Sequence, residues 1–196
     1  LLLDEPFSNL DTALRVQVRS EVHALLADLG VTTVFVTHDQ EEAFVLGDDV
    51  AVMTSGLVVQ QASPAELYAA PASRWVAEFV GEANLVAGQA DGSTATTAIG
   101  VVELEGDHRG PVDVLLRPEE LRLSGGREPA GNGAGVHGGS GVVELVEFYG
   151  HDTVYVVGMD GESVVRVRAG SAPEHQRGDP VTVSYAGRPA IAYATP

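Results

Sequence analysis

The 196-residue chain is 44% hydrophobic and 20% charged, with 28 acidic residues against 11 basic, a formal net charge of −17 and no cysteine. That balance excludes a basic nucleic-acid surface, a disulfide framework, thiolate metal sites and a cysteine nucleophile. All 11 basic residues are arginine, so the chain cannot carry an intact P-loop, whose G-x-x-x-x-G-K-[ST] needs a lysine, and no apolar run approaches the roughly 18 residues of a membrane helix.

Leu1-Leu2-Leu3 reads as an apolar strand ending at Asp4-Glu5-Pro6. A chain that begins inside a core strand is expected to be a piece of a longer protein. Asp11 is a good N-cap for a helix over about 12–29, with Leu14, Val18, Val22, Leu25 and Leu29 on one face and Gly30 as its stop. Val31 to Thr37 is β-branched and apolar, the composition of a buried parallel strand. Asp39 with Glu42 forms a capping-box pattern opening a short helix that ends at Gly47. Val50–Met53 and Leu57–Gln61 are strands around a Ser55-Gly56 turn, and Ser63-Pro64-Ala65-Glu66 is a second capping box. Ser73 caps a last helix through Trp75, Val76, Phe79 and Val80, closed by Gly81. Strand–helix–strand–helix order predicts an α/β sheet for residues 1–82.

From about residue 83 the pattern changes to short strands. Leu85–Ala90, Val101–Glu105, Val112–Arg117, Gly141–Tyr149, Thr153–Gly158, Ser163–Val167, Val181–Ala186 and Ala190–Tyr193 are the candidates. Turns such as Asp160-Gly161 and Arg177-Gly178-Asp179-Pro180 separate them, which predicts a small all-β barrel or sandwich over 83–196. Residues 124–141 carry eight glycines in eighteen positions and are expected to form a mobile loop.

Asp4 and Glu5 end the first strand and His38 follows the second, separated by about one βαβ unit. If the two strands share a parallel sheet, all three residues lie at its carboxyl edge, where open α/β sheets place ligands. Two carboxylates and an imidazole there suit phosphate chemistry. One carboxylate can hold Mg²⁺ through water, its neighbour can orient or deprotonate an attacking water, and the imidazole can contact a γ-phosphate. Taken singly, Asp4-Glu5 and His38 read more readily as solvated turn residues, and only together at βαβ spacing does the functional reading stand level with that one.

Leu1-Leu2-Leu3-Asp4-Glu5-Pro6-Phe7-Ser8-Asn9-Leu10-Asp11 resembles the Walker B segment and D-loop of ATP-binding cassette (ABC) transporter ATPases. Val34-Phe35-Val36-Thr37-His38-Asp39-Gln40-Glu41-Glu42-Ala43 resembles the His switch of the same family, at the expected distance. The resemblance implies Asp4 as the Walker B carboxylate near Mg²⁺ and Glu5 as the catalytic carboxylate. It further implies Asp11 as the D-loop acid at a dimer seam and His38 as the γ-phosphate sensor. Gly81-Glu82-Ala83-Asn84-Leu85, Leu115-Leu116-Arg117-Pro118-Glu119, Gly141-Val142-Val143 and Phe148-Tyr149-Gly150 are similar to the C-terminal TOBE region, oligonucleotide-binding-like in fold. That region is carried by ATPases importing ferric iron, sulfate, polyamines or sugars.

The resemblance therefore implies an α/β C-terminal part of a P-loop-type nucleotide-binding domain over 1–82 and an OB-like TOBE domain over 83–196. It implies ATP and Mg²⁺ as cofactors of the parent protein, a homodimer of ATPase subunits, and membrane permease subunits as partners. Location on the inner face of the cell membrane follows, with neither nucleic-acid binding nor membrane insertion. Walker A, Q-loop and signature loop are absent from the 196 residues, so the chain alone is expected to be inactive. Leu123-Ser124-Gly125-Gly126 has the letters that begin an ABC signature but follows Walker B by more than a hundred residues, and chance accounts for it better. Two rivals stand beside this reading: a non-enzymatic β module that senses a small ligand or dimerises, and a stand-alone Mg²⁺ phosphohydrolase built on Asp4, Glu5 and His38. His38 with Glu41 lacks the second histidine of a zinc site, and Trp75 with Phe79 is expected in a core. Arg117-Pro118-Glu119 is expected as a strand-end turn rather than an anion grip.

Overall fold

The structure, a computed structural model, describes residues 1–126, 138–160 and 163–195. These form two compact units, Leu1–Ala72 and Ser73–Pro196.

In the first unit, β1 (Leu2–Asp4) and β2 (Val34–Val36) are parallel neighbours, with Leu3 opposite Phe35 and Asp4 opposite Val36. Helix α1 (Thr12–Leu29) makes the crossover between them. Asp11 caps it by accepting from the Leu14 N–H at 3.0 Å, and Gly30 ends it in the left-handed conformation at φ 60°. The helix face that turns inward shares only Val18 and Val22 with the anticipated stripe. Arg19 is buried and Val18 and Val22 are half-buried, whereas Leu14, Leu25 and Leu29 stay 43%, 57% and 62% exposed. The two strands likewise cover only one face: Leu2, Val34 and Val36 lie open, while Phe7 is buried and stacks on Phe35 at 6.4 Å.

Helix α2 (Gln40–Leu46) starts on Asp39, whose side chain accepts from the N–H groups of Glu41 and Glu42. The reciprocal half of the expected capping box is missing, because the Glu42 carboxylate turns inward to other partners. Strands β3 (Val50–Thr54) and β4 (Leu57–Ala62) make an antiparallel hairpin on a turn with positive φ at both Ser55 and Gly56, 50° and 79°. This hairpin is a sheet of its own, so the four strands do not merge into one α/β sheet. Helix α3 (Pro64–Ala69) opens on the expected Ser63–Glu66 capping box, with both reciprocal bonds present.

The second unit begins at Ser73, ahead of the change in sequence pattern near 83. Its helix α4 (Arg74–Phe79) is capped by the Ser73 side chain. The strands that follow are β5 (Asn84–Thr97), β6 (Gly100–Leu116), β7 (Leu121–Gly125), β8 (Gly139–Phe148), β9 (Thr153–Met159), β10 (Val164–Ala169), β11 (Pro180–Tyr185) and β12 (Ala192–Ala194). They form an antiparallel five-stranded sheet in the order β10-β9-β8-β11-β7 and a three-stranded sheet in the order β12-β6-β5. Three separately expected strands fuse into the long β5–β6 hairpin, whose register shifts between Gly92 and Thr94. Both sheets send alternate side chains into one core containing Val86, Val102, Val114, Leu116, Val143, Tyr155, Val157, Val165, Val181 and Val183.

Of the expected mobile loop 124–141, residues 127–137 lie outside the described residues. Its flanks are not loop: Ser124 and Gly125 end β7 against β11, and Gly139 to Gly141 begin β8. Glycine is required there by close packing, since a Cβ on Gly139 would lie 1.9 Å from the Ala98 carbonyl oxygen. The signature-like letters at 123–126 thus belong to an antiparallel strand end. Trp75 and Phe79 stack on each other at 5.0 Å but stay 42% and 39% exposed, so the core side of α4 is Val76, Ala77 and Val80 instead. Arg117 is 5% exposed and donates from Nη1 to the carbonyls of Ala77, Gly81 and Glu82, holding the chain as it leaves α4.

Candidate functional site

The parallel pairing of β1 and β2 brings residues 4–5 and 37–39 to one sheet edge. Glu5, one step past β1, donates its N–H to the Val36 carbonyl at 2.8 Å and adopts φ 44°, the left-handed region that a non-glycine residue rarely enters. Its carbonyl accepts from the N–H and the hydroxyl of Ser8, at 3.2 and 3.0 Å. Those three bonds over-determine the strained backbone, a condition typical of functional turns.

The Glu5 carboxylate meets His38 across the strand ends, Oε1 lying 3.1 Å from Nδ1. Both side chains reach solvent, with His38 75% and Glu5 48% exposed. Asp4 is also exposed and in register with Val36, one residue before Thr37. Asp11 does not converge on them through any contact; its carboxylate is the N-cap of α1. The structure thus joins Glu5 and His38 directly and sets Asp4 at the same edge.

Behind His38 lies a network that the sequence pattern did not disclose. Glu42 is 3% exposed and accepts from the Thr37 hydroxyl at 2.7 Å, and the Thr37 oxygen accepts the Asp39 N–H at 3.0 Å. Arg15 on α1 reaches Asp39 Oδ2 at 3.3 Å, Glu42 Oε1 at 3.9 Å and the Leu10 carbonyl at 3.0 Å. Nothing in the local sequence ties Arg15 and Arg19 to the site. A usable signal was their spacing of four, which puts two cations on one helix face. A cleft of about 30 Å³, the room of one water molecule, is lined by Glu5, Ser8, Arg15, Thr37, His38, Asp39 and Glu42.

Among the described residues, no group of three or more His, Asp or Glu side chains is arranged to hold a metal ion. Mg²⁺ at a phosphate site does not need such a cage, because one or two carboxylates, waters and the phosphates complete its octahedron. Asp4, an exposed hard-oxygen donor at the edge that carries Glu5 and His38, fits that limited role.

Comparison with known proteins covers the whole chain. The TOBE domain family model matches residues 114–191. The chain is 39% identical over 201 residues to the Fe(3+) ions import ATP-binding protein FbpC of Pseudomonas fluorescens, covering 100% of this chain and 55% of that protein. It is 40% identical over 200 residues to the Fe(3+) ions import ATP-binding protein FbpC 2 of Rhodococcus jostii, covering 98% and 55%. Against the spermidine/putrescine import ATP-binding protein PotA of Mesorhizobium japonicum it is 37% identical over 178 residues, covering 86% and 46%. The chain spans about half the length of the curated relatives it matches.

Proposed function

Since this chain matches the C-terminal portion of an ABC importer ATP-binding protein with a TOBE domain, we propose that it is part of a subunit coupling ATP hydrolysis to solute uptake. Residues 1–82 would then be the C-terminal part of its P-loop-type nucleotide-binding domain, and the β domain after them its TOBE region. Import is the shared element, for the relatives' names divide between Fe(3+) and spermidine/putrescine. Two such subunits would close on ATP against membrane permease subunits on the inner face of the membrane.

The observation that carries this reading is the 3.1 Å contact between Glu5 and His38 at the ends of adjacent parallel strands. A carboxylate with one oxygen held by an imidazole keeps its other oxygen for a water, which it can orient and deprotonate. An imidazolium donates from both nitrogens, so Nδ1 can hold Glu5 while Nε2 turns to an anionic phosphate. Asp4 would hold Mg²⁺ through water, and the bound ion would neutralise charge on the phosphate oxygens. Asp11 is assigned the dimer seam, where its exposed position leaves it accessible to a second subunit.

The chain by itself is proposed to be inactive. The amides and lysine of a Walker A loop supply most of the grip on a triphosphate, and the 196 residues include no lysine. The test is Glu5→Gln in the full-length ATPase. The amide keeps the shape but not the basicity, so turnover should fall by about 10² to 10⁴ while ATP binding persists. An unchanged rate would remove Glu5 from the catalytic role.

A further inference from the structure

We infer that Thr37 and Glu42, braced by Arg15, are positioning residues that fix the direction of the His38 ring, an inference that rests on the catalytic reading of Glu5 and His38 above. His38 is 75% exposed, and among the described residues Glu5 is its side-chain partner. With the ring this open and Glu5 itself half-exposed, its direction depends on the backbone beneath it.

That backbone is pinned on both flanks. On one side, the Thr37 hydroxyl is used twice, donating to Glu42 at 2.7 Å and accepting the Asp39 N–H at 3.0 Å. On the other, the Asp39 carboxylate accepts the N–H groups of Glu41 and Glu42 at 2.9 and 3.2 Å through one oxygen and takes Arg15 at 3.3 Å on the other. His38 therefore sits between two residues whose side-chain polar groups are engaged. The bonds of Thr37 and Glu42 run to each other, to the Asp39 N–H and to Arg15, so their influence on the ring passes through the peptide.

The burial of Glu42 supports a dedicated role. A carboxylate with 3% exposure is costly unless it is partnered, and a hydrophobic residue of similar volume would often serve stability as well. What an apolar side chain could not do is accept the Thr37 hydroxyl and so orient its lone pair toward the Asp39 N–H. Arg15 extends the same network to the Leu10 carbonyl, tying the segment ahead of Asp11 to the one that carries His38.

Thr37→Val is nearly isosteric and deletes the hydroxyl, Thr37→Ser restores it, Glu42→Met keeps most of the volume while removing the acceptor, and Glu42→Gln keeps an acceptor oxygen. In the full-length ATPase, the Asp39 amide should exchange about tenfold faster in Thr37→Val and at the native rate in Thr37→Ser, with unchanged circular dichroism. In the same protein, Thr37→Val and Glu42→Met should lower kcat by about tenfold to a hundredfold, the scale of a 1 Å misplacement, and leave KM for ATP unaltered. Thr37→Ser should stay within about twofold of the native enzyme, and Glu42→Gln should keep more of kcat than Glu42→Met. Glu5→Gln and His38→Ala are run alongside. If they abolish turnover while Thr37→Val and Glu42→Met keep native kcat, the positioning role is overturned and the catalytic reading stands. If Glu5→Gln leaves turnover intact, the catalytic reading fails and the inference falls with it. Should Thr37→Val unfold the first unit, the contrast between Glu42→Met and Glu42→Gln decides alone.

Discussion

Arg117→Met keeps the length and the apolar stem of a buried side chain but removes its charge and every donor. In the native protein, Nη1 lies 3.0 Å from the Ala77 carbonyl, 3.4 Å from Gly81 and 2.9 Å from Glu82, all at or just past the C-terminus of α4. A cation at that end of a helix also meets the negative pole of its dipole. A hydrogen bond from a charged donor contributes about 1.5–3 kcal/mol, and one Nη1 cannot serve three acceptors at full strength. Counting the two shorter bonds at the lower end gives a loss of about 3 kcal/mol, a large fraction of a domain's stability. The single tryptophan, Trp75, lies on α4, so its fluorescence reports the element under test. In urea, with a slope of about 2 kcal/mol per molar, the Trp75 transition should move down by about 1.5 M. Arg117→Lys, which keeps a charge on a shorter reach, should fall between. A shift below about 0.5 M in Arg117→Met would mean that the three carbonyls find other donors and that Arg117 does not hold the helix.

Isothermal titration of the 196-residue chain with Mg-ATP should show no binding tighter than about millimolar, because the triphosphate grip lies in a loop the chain does not contain; micromolar binding would refute this. Gly139→Ala should destabilise the second unit by at least about 1–3 kcal/mol, since its Cβ would meet backbone atoms 1.9 and 2.8 Å away and backbone cannot rotate aside; a neutral thermal melt would contradict the close packing. Hydrogen exchange should be fast over Leu1–Ala72 and slow over β5, β6, β8, β9 and β11. Among the described residues the first unit buries only Phe7, Leu46, Val52 and Leu67 as hydrophobic core, while the second holds the entire main cluster, and equal protection would refute the contrast. Burial raises Tyr193 to about 12, and burial with the nearby Glu120 carboxylate pushes Tyr185 higher still. Their folded pKa values exceed the unfolded value near 10, so the stability they contribute is complete below pH about 10 and is lost as pH rises through about 12. Ultraviolet titration should show Tyr185 and Tyr193 ionising only with unfolding, and their ionisation near pH 10 in the folded chain would refute the reasoning.

Much of the site was legible because its signals are local. Asp4-Glu5 after an apolar triplet, Asp11 before a helix and His38 after a β-branched run each sit within a few residues of the feature that fixes them. The caps at Asp11, Ser63 and Ser73 and the turn at Ser55-Gly56 depend on backbone groups two or three positions away. The parallel pairing of residues 2–4 with 34–36 then followed from the length of one crossover. The sequence by itself therefore determined the elements of the first unit, the sheet edge and the place of Asp4, Glu5 and His38 on it.

Only the tertiary structure decided where side chains with two available roles would go. Glu42 is spaced to complete a capping box, yet its carboxylate serves Thr37 and Arg15, because burial beside a cation outweighs one more backbone bond at a helix end. Arg15 and Arg19 face inward where leucines were expected, since the acids that partner them stand on another helix more than twenty residues away. Arg117 reaches back some forty residues to the carbonyls after α4, a pairing no local pattern encodes. β7 and the glycine-rich ends of β8 are strands because β11 supplies a ladder on both of its edges, not because their own residues favour extension. Propensity and capping act over one turn of chain, whereas ion pairs and sheet edges are settled by whatever the fold brings within about 4 Å, and distance along the chain carries no record of that.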